Sequence, residues 1–401
     1  MTQDKQNKRP NVPPLRFSEF TEPWETAKLG AIAEFSKGTG ISKEQRSETG
    51  LPCILYGELY TTYTNEVIED VVSKTDLDPT DLVKSQKNDV IIPSSGETAE
   101  DIATARCVTS DNVLLGGDLN IIRLVEPNDG RFMSYQLNGI RKYDIAKIAQ
   151  GVSVVHLYGG DLKMLSVTFP QSPEQKKIAD CISLLDRRIS VQSGLIEKLE
   201  SLISGITLII SNSDDCESIR LSEILTERDE VNTAQYEVYS VSVSQGVANQ
   251  VEYLGRSFAA KDTSNYNVVH YGDIVYTKSP TGDFPYGIVK RSGQTDPVAV
   301  SPLYGVYIPA SNDIGCFLHY YFCNAASTKN YLHKLIQKGA KNTINITNQR
   351  FLENTIKLPN AERLAIVVKL LNQLSVKKQR AEELLALYRK QKQYLLSQMF
   401  I

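Results

Sequence analysis

The chain states one pattern twice, and the two copies lie far enough apart to belong to separate globules. The first copy ends in Val167-Thr168-Phe169-Pro170 and runs through Ser172-Pro173-Glu174-Gln175 into a long amphipathic stretch. The second ends in Ile356-Lys357-Leu358-Pro359 and runs through Asn360-Ala361-Glu362-Arg363 into a stretch of the same kind. In the first stretch Ile178, Ile182, Leu185, Ile189, Ile196 and Leu199 follow steps of four and three, with Gln192 the polar exception. The same stride in the second gathers Val367, Leu371, Leu374, Leu385, Tyr388 and Leu395, interrupted by Lys378 and Lys392. An apolar stripe holding that period over four heptads is a coiled-coil seam.

Each stretch covers about 35 to 40 residues, on the order of 50–60 Å of helix at ~1.5 Å per residue. Ser172 is expected to cap the first helix, Pro173 suits its first turn, and Gln175 completes a capping box. Asn360 is expected to cap the second, with Glu362 near the positive helix end. Gly194 and Gly205 each cost roughly 1 kcal/mol against alanine inside a helix. The first helix therefore needs a partner, and the second supplies a matching seam. Lys378 and Lys392 can snorkel to the seam's edge or fix its register. The plainer alternative is that each helix packs only on its own globule.

The rest of the chain divides accordingly. A polar tail covers 1–14, a first globular domain 15–170 and the first helix 171–211. A second domain covers 212–359, opened by a short linker at 212–216, and the second helix 360–401. Asp89-Val90-Ile91-Ile92-Pro93 and Asp273-Ile274-Val275-Tyr276-Thr277 read as matching strands, each introduced by a turn. Lys28-Leu29-Gly30-Ala31-Ile32 matches Arg220-Leu221-Ser222-Glu223-Ile224, and Gln150-Gly151 matches Lys338-Gly339. The repeat is clear at the edges and weak inside. The expected fold is mixed α+β: two pseudo-repeated globules, each followed by a long helix, the helices pairing. Such a chain is a ruler with two heads that recognise different things.

Chemistry is sparse. Four histidines lie without metal spacing, and no GxSxG, P-loop or GxGxxG motif is present. Six scattered cysteines lack CxxC spacing and read as reduced thiols. Ser36-Lys37-Gly38-Thr39-Gly40 is half of a phosphate loop and reads as a turn. No apolar run approaches membrane-spanning length and no signal core opens the chain, so a cytoplasmic, non-membrane protein is expected. A net charge of -3 argues against broad electrostatic binding of nucleic acid but leaves room for local patches. Two such patches precede the helices: Arg141, Lys142 and Lys147, then Lys329, Lys334, Lys338, Lys341 and Arg350. Each also reads as a solvated helix face. Donor-rich loops follow the two matching strands. The candidate binding residues are Ser94, Ser95, Thr98, Lys147 and Ser153 in the first half. In the second they are Thr277, Lys278, Lys338, Lys341 and Asn342. No catalytic or metal residue is nominated.

The arrangement resembles the specificity subunit of type I restriction–modification systems (the HsdS family) over nearly the whole chain. The resemblance is carried by Leu15-Arg16-Phe17 with Phe20 and Trp24, by Lys28-Leu29-Gly30-Ala31-Ile32, and by Pro170-Gln171-Ser172-Pro173-Glu174-Gln175-Lys176-Lys177-Ile178-Ala179. Leu185-Asp186 and the ending Tyr394-Leu395-Leu396-Ser397-Gln398-Met399-Phe400 complete it. The second helix departs from the pattern at Glu362-Arg363. The resemblance implies two target-recognition domains, each reading one half of an asymmetric bipartite site in double-stranded DNA. It also implies that the helices pair antiparallel and set the spacer. By the same implication the chain is non-catalytic, and S-adenosylmethionine, ATP and Mg belong to partners: two methyltransferase subunits and the restriction/translocase subunits. The reading to be distinguished from it is a coiled-coil adaptor with two ligand-binding globules unrelated to DNA.

Overall fold

The computed structural model describes residues 11–256, 259–260, 262–338 and 344–401. Two compact units emerge: residues up to 192 together with 384–401, and residues 193–383. The end of the chain therefore folds into the first unit, and each long helix contributes to both.

In the first unit a five-stranded sheet runs Ala33–Lys37, Leu119–Leu124, Asp89–Pro93, Arg106–Val108 and Val67–Ile68 in spatial order. Its pairings are antiparallel except the last. Asp89–Pro93 is buried along its whole length because both faces are covered. Val90 and Ile92 join the cluster with Trp24, Phe132 and Ile178, whereas Ile91 joins Ile54, Leu59 and Leu115 on the other side. A continuous apolar run is what a strand covered on two faces needs.

The second unit repeats this with four strands: Leu225–Glu227, Gly305–Pro309, Ile274–Thr277 and Ile288–Arg291. Ile274 and Tyr276 face one cluster and Val275 the other. Both central strands are entered by a turn with a residue at positive φ, Asn88 at 82° and Gly272 at 89°. In both turns the following aspartate accepts a backbone N–H three residues back, Asp89 from Gln86 and Asp273 from His270, each at 2.8 Å.

Each globule is closed by pairing its first strand with its last. Glu25–Lys28 lies antiparallel to Ser166–Phe169, and Glu217–Arg220 to Thr355–Leu358. The helices Ser172–Asn212 and Ala361–Gln398 follow at once. Leu29 and Leu221, both fully buried, open equivalent helical turns after the first strands.

Within the first unit Ile178, Ala179 and Ile182 pack with Met399 and Phe400, while Asp186 pairs with Lys392 at 2.6 Å. Within the second, Ile203, Ile206 and Ile210 share a cluster with Leu364, Val367, Val368 and Leu371, and Glu200 pairs with Lys378 at 2.9 Å. In both, one helix segment ascends while the other descends. Of the stripe positions, Ile178, Ile182, Leu185, Leu199, Val367, Leu371 and Leu385 are buried. Ile189, Ile196, Leu374, Tyr388 and Leu395 are half-buried. No described helix is long and apolar enough to cross a membrane.

The entrance to the first helix differs from the capping box expected there. The N–H groups of Glu174 and Gln175 donate to the Gln171 carbonyl, so Gln171 takes the cap position that the sequence offers to Ser172. Gln175 turns inward instead. Its amide nitrogen donates to Pro170 O at 2.8 Å and Asn128 Oδ1 at 3.0 Å, and its oxygen accepts the Asp129 N–H at 2.9 Å. Glu174, 2% exposed, holds Arg16 through two 2.7 Å bonds and accepts the Trp24 indole N–H. In the second copy Asn360 caps, its Oδ1 accepting from Arg363 N–H at 2.9 Å.

Candidate nucleic-acid interface

In the first unit the central strand Asp89–Pro93 delivers the chain into Ser94 and then Ser95–Gly96. This short strand pairs antiparallel with Val155–His156. Thr98 caps the turn Ala99–Ile102, its hydroxyl accepting the Asp101 N–H at 3.1 Å and donating to the Asp101 carboxylate at 2.6 Å. That turn packs on Lys142–Ile148 and on both strands of the ribbon. Ser95, Thr98, Lys147 and the hairpin carrying Ser153 are thus gathered on one region of the surface.

The hairpin is defined by a Gln150–His156 bridge, with Gly151 at φ 123°. Its tip is open: Val152 is 98% exposed, and Ser153 and Val154 are exposed as well. Lys147 is exposed above the Tyr143 ring, 4.2 Å from its centroid. Such a contact holds the ammonium in place at the surface.

Ser94 does not belong to this surface. It is buried, its N–H donating to Asp118 O at 2.7 Å and its hydroxyl facing the Asp118 carboxylate at 3.4 Å. It shapes the strand exit. Arg141 is likewise occupied, reaching Ile401 O at 3.1 Å and Asp144 at 3.4 Å. Two aromatic side chains not nominated from the sequence lie at the ribbon and just past it: exposed His156 stacks on exposed Tyr158, the residue before the turn Gly159–Lys163, with centroids 6.2 Å apart. Tyr60 is anchored beneath, donating to Ser95 O at 3.3 Å, its phenol pushed up by burial. No periodic signal marks His156, since a two-residue ribbon is too short to show one.

The second unit keeps the hairpin. Gln337–Lys338 pairs with Ile344–Asn345, the counterpart of the Gln150–His156 bridge. Lys341 and Asn342 lie outside the described residues, and Lys338 is placed by its backbone in the ribbon. Thr277 is 1% exposed, its hydroxyl accepting the Ser279 N–H at 3.3 Å, so it too shapes a strand exit and presents no hydroxyl. Lys278 is half-buried, its ammonium pushed down by burial and partly restored by Glu227. Glu227 in turn accepts from Asn348, which opens the helical turn just past the hairpin. Arg350 is tied to Leu335 O at 2.7 Å. The half phosphate loop is structural as well. A Cβ on Gly38 would lie 2.0 Å from Gly116 O, and the Thr39 hydroxyl accepts the Val83 N–H. Among the described residues no group of three or more His, Cys, Asp and Glu could hold a metal ion.

Residues 21–201 match the family described as Type I restriction modification DNA specificity domain. The fold is similar to that of the type I restriction–modification system S subunit from M. genitalium, with TM-score 0.66 and 16% identity over 97% of this chain and 99% of that one. A second similar structure is described as showing complex assembly and conformational transition of the type I R-M system. It has TM-score 0.50 and 14% identity over 94% of this chain and 97% of that one. No curated protein matches the sequence. The family match covers residues 21–201, and the whole chain shares its fold with the M. genitalium S subunit.

Proposed function

We propose that this chain is the DNA-recognising specificity subunit of a type I restriction–modification assembly, reading a split target with one half-site per unit. The observation that carries the reading is the duplication. The closing strand pair, the turn-aspartate-strand motif and the terminal hairpin recur in both units, while the surface side chains between them do not. Two copies of one framework with different contact surfaces read two different sequences, and an asymmetric bipartite site is the result.

In the first unit phosphate contact is assigned to Lys147, and groove contact to Ser95, Thr98 and Ser153. In the second, phosphate contact is assigned to Lys278, Lys338 and Lys341, with Asn342 at the base edges. Lysine to phosphate positions the duplex, and hydroxyl or amide groups at base edges specify sequence. The paired helices hold the two readers at a set spacing. The chain is assigned no catalytic step of its own. S-adenosylmethionine is assigned to two methyltransferase subunits, and ATP with Mg to restriction/translocase subunits, in a cytoplasmic complex. Docking of partners is supported by apolar residues that the first helix leaves exposed: Leu184, Val191, Leu195, Leu202 and Ile209.

The test is an exchange of residues 17–168 for the corresponding domain of another specificity subunit, followed by methylation-site mapping. One half of the methylated motif changes and the other stays. A hybrid that assembles and changes both halves overturns the two-reader assignment. Absence of any split motif from the unaltered complex favours a protein-binding adaptor instead.

A further inference from the structure

We propose that Cys323 is a nucleophilic thiolate and a site of oxidation by small hydroperoxides, set in the wall of a cavity in the second unit. The cavity holds about 1050 Å³ and lies against the end of helix Asn312–Cys323 and strand Ile288–Arg291. Three side chains converge there. The Lys290 ammonium donates to Cys323 Sγ at 3.4 Å. His319, one turn back on the helix, faces the sulfur through Nε2 at 3.7 Å. Its Nδ1 accepts the Arg291 backbone N–H at 3.4 Å, which fixes the ring with Nε2 turned to the sulfur.

Lys290 is 4% exposed, and among the described residues its ammonium has no carboxylate partner. A buried cation requires a counter-charge, and the sulfur is the group in position to carry it. The neighbouring charges do not compete: Lys378 is paired with Glu200 at 2.9 Å and Glu382 at 3.2 Å across the same cavity. Arg291 lies over Tyr271 and donates to Asn312. Burial alone raises the thiol, but His319 and Lys290 outweigh it and bring Cys323 down to about 6. The side chain is exposed to the cavity, unlike Cys53, Cys107, Cys216 and Cys316, which are buried.

The step balances within the site and its reagent. The thiolate attacks one peroxide oxygen, the S–O bond forms as the O–O bond breaks, and the leaving alkoxide or hydroxide takes a proton from water. Sulfur is oxidised by two electrons to the sulfenic acid and the peroxide is reduced. Cys316, seven residues back, lies about 10 Å away along the helix, beyond the ~7 Å a disulfide spans, so the product is not consumed by an internal bridge. Its formation removes the anion that faces Lys290.

The test compares Cys323 with itself in the full-length chain. At pH 6, alkylation by iodoacetamide is expected to be on the order of tenfold faster in the folded protein than in the urea-unfolded one, the gain in thiolate exceeding the loss of intrinsic nucleophilicity. At pH 8.5 that advantage disappears. Hydrogen peroxide followed by dimedone labels Cys323, and Cys323→Ser removes the label. Lys290→Met, and independently His319→Gln should the first not fold, lowers the pH 6 rate severalfold. Folded-state alkylation no faster than unfolded at pH 6, or no dimedone adduct at Cys323, overturns the proposal. Neither readout depends on DNA binding.

Discussion

The two units solve one structural problem with different parts. Each buries a carboxylate at the start of its central strand and neutralises it with a bidentate arginine. In the first unit Asp89 receives Arg123, from the neighbouring strand, at 2.8 and 2.7 Å. In the second, Asp273 receives Arg228, which follows a different strand, at 2.7 and 2.9 Å. The aspartate is fixed because it also holds the turn; the arginine need only reach it. What the duplication preserves is therefore the position of a buried charge, while the residue that compensates it is free to move. The long helices differ more sharply. Lys392, 14% exposed, sits between Glu66 at 2.5 Å and Asp186 at 2.6 Å, and Tyr135 donates to the same Asp186 at 2.7 Å. Burial pushes the Asp186 carboxyl up, opposed by Lys392. Lys378, the corresponding interruption in the second unit, is 28% exposed and its glutamates about half.

This contrast gives the largest expected effect. Lys392→Met leaves two carboxylates facing each other in a dry site and should lower stability by about 3–5 kcal/mol. Lys378→Met should change it by about 0–1 kcal/mol. Parallel denaturant melts of the two variants decide the matter. Equal losses would show that the seam's two lysines are energetically alike and that burial does not distinguish them.

Much of this was legible in the sequence, and the reasons are physical. A seam repeats every seven residues, so many positions vote together for the long helices. Central strands were legible because both faces are buried and the run is apolar throughout. What stayed hidden depends on single contacts between distant residues. Gln175 satisfies the pattern of a capping box, and only the approach of Asn128 and Asp129 shows that its amide is turned inward. Ser94 and Thr277 have the right chemistry for DNA, but they stand at strand exits where the backbone is still covered. His156 and Tyr158 were missed because the ribbon that carries His156 is formed by pieces of two residues each, and Tyr158 stands just beyond it.

A second contrast concerns the helix entrances. Gln175→Ala removes three hydrogen bonds from a buried site and strands the Asp129 N–H and Pro170 carbonyl, an expected loss of about 1–3 kcal/mol. Asn360→Ala removes a surface cap, worth about 1 kcal/mol. Thermal melts of both variants test whether the first entrance is the more strongly tied. A larger loss at Asn360 would reverse the assignment.

A smaller effect is expected at the surface proposed to meet DNA. Lys147→Ala, on an exposed platform, should weaken binding to all sequences and reduce the slope of log affinity against log salt by about 0.9. Lys278→Ala should reduce it less, because its ammonium is half-buried and shared with Glu227. Titrations of the assembled complex at several salt concentrations measure both, and an unchanged slope for Lys147→Ala removes that residue from the interface.

The smallest effect separates the helices themselves. The first long helix contains Gly194 and Gly205, and the second contains no glycine. At both positions an added Cβ meets no atom within 4 Å, and neither backbone has positive φ. Sterics therefore do not require glycine, and alanine should stabilise by up to about 1 kcal/mol per site through its helix propensity. Gly194→Ala and Gly205→Ala should each raise the melting temperature of the chain modestly, with additive effects, since the sites are eleven residues apart and share no partner. If instead the variants keep or gain stability but alter the methylated motif or its spacer, the glycines serve a bend that the recognition geometry requires. The comparison between the helices would then be one of stiffness rather than of packing.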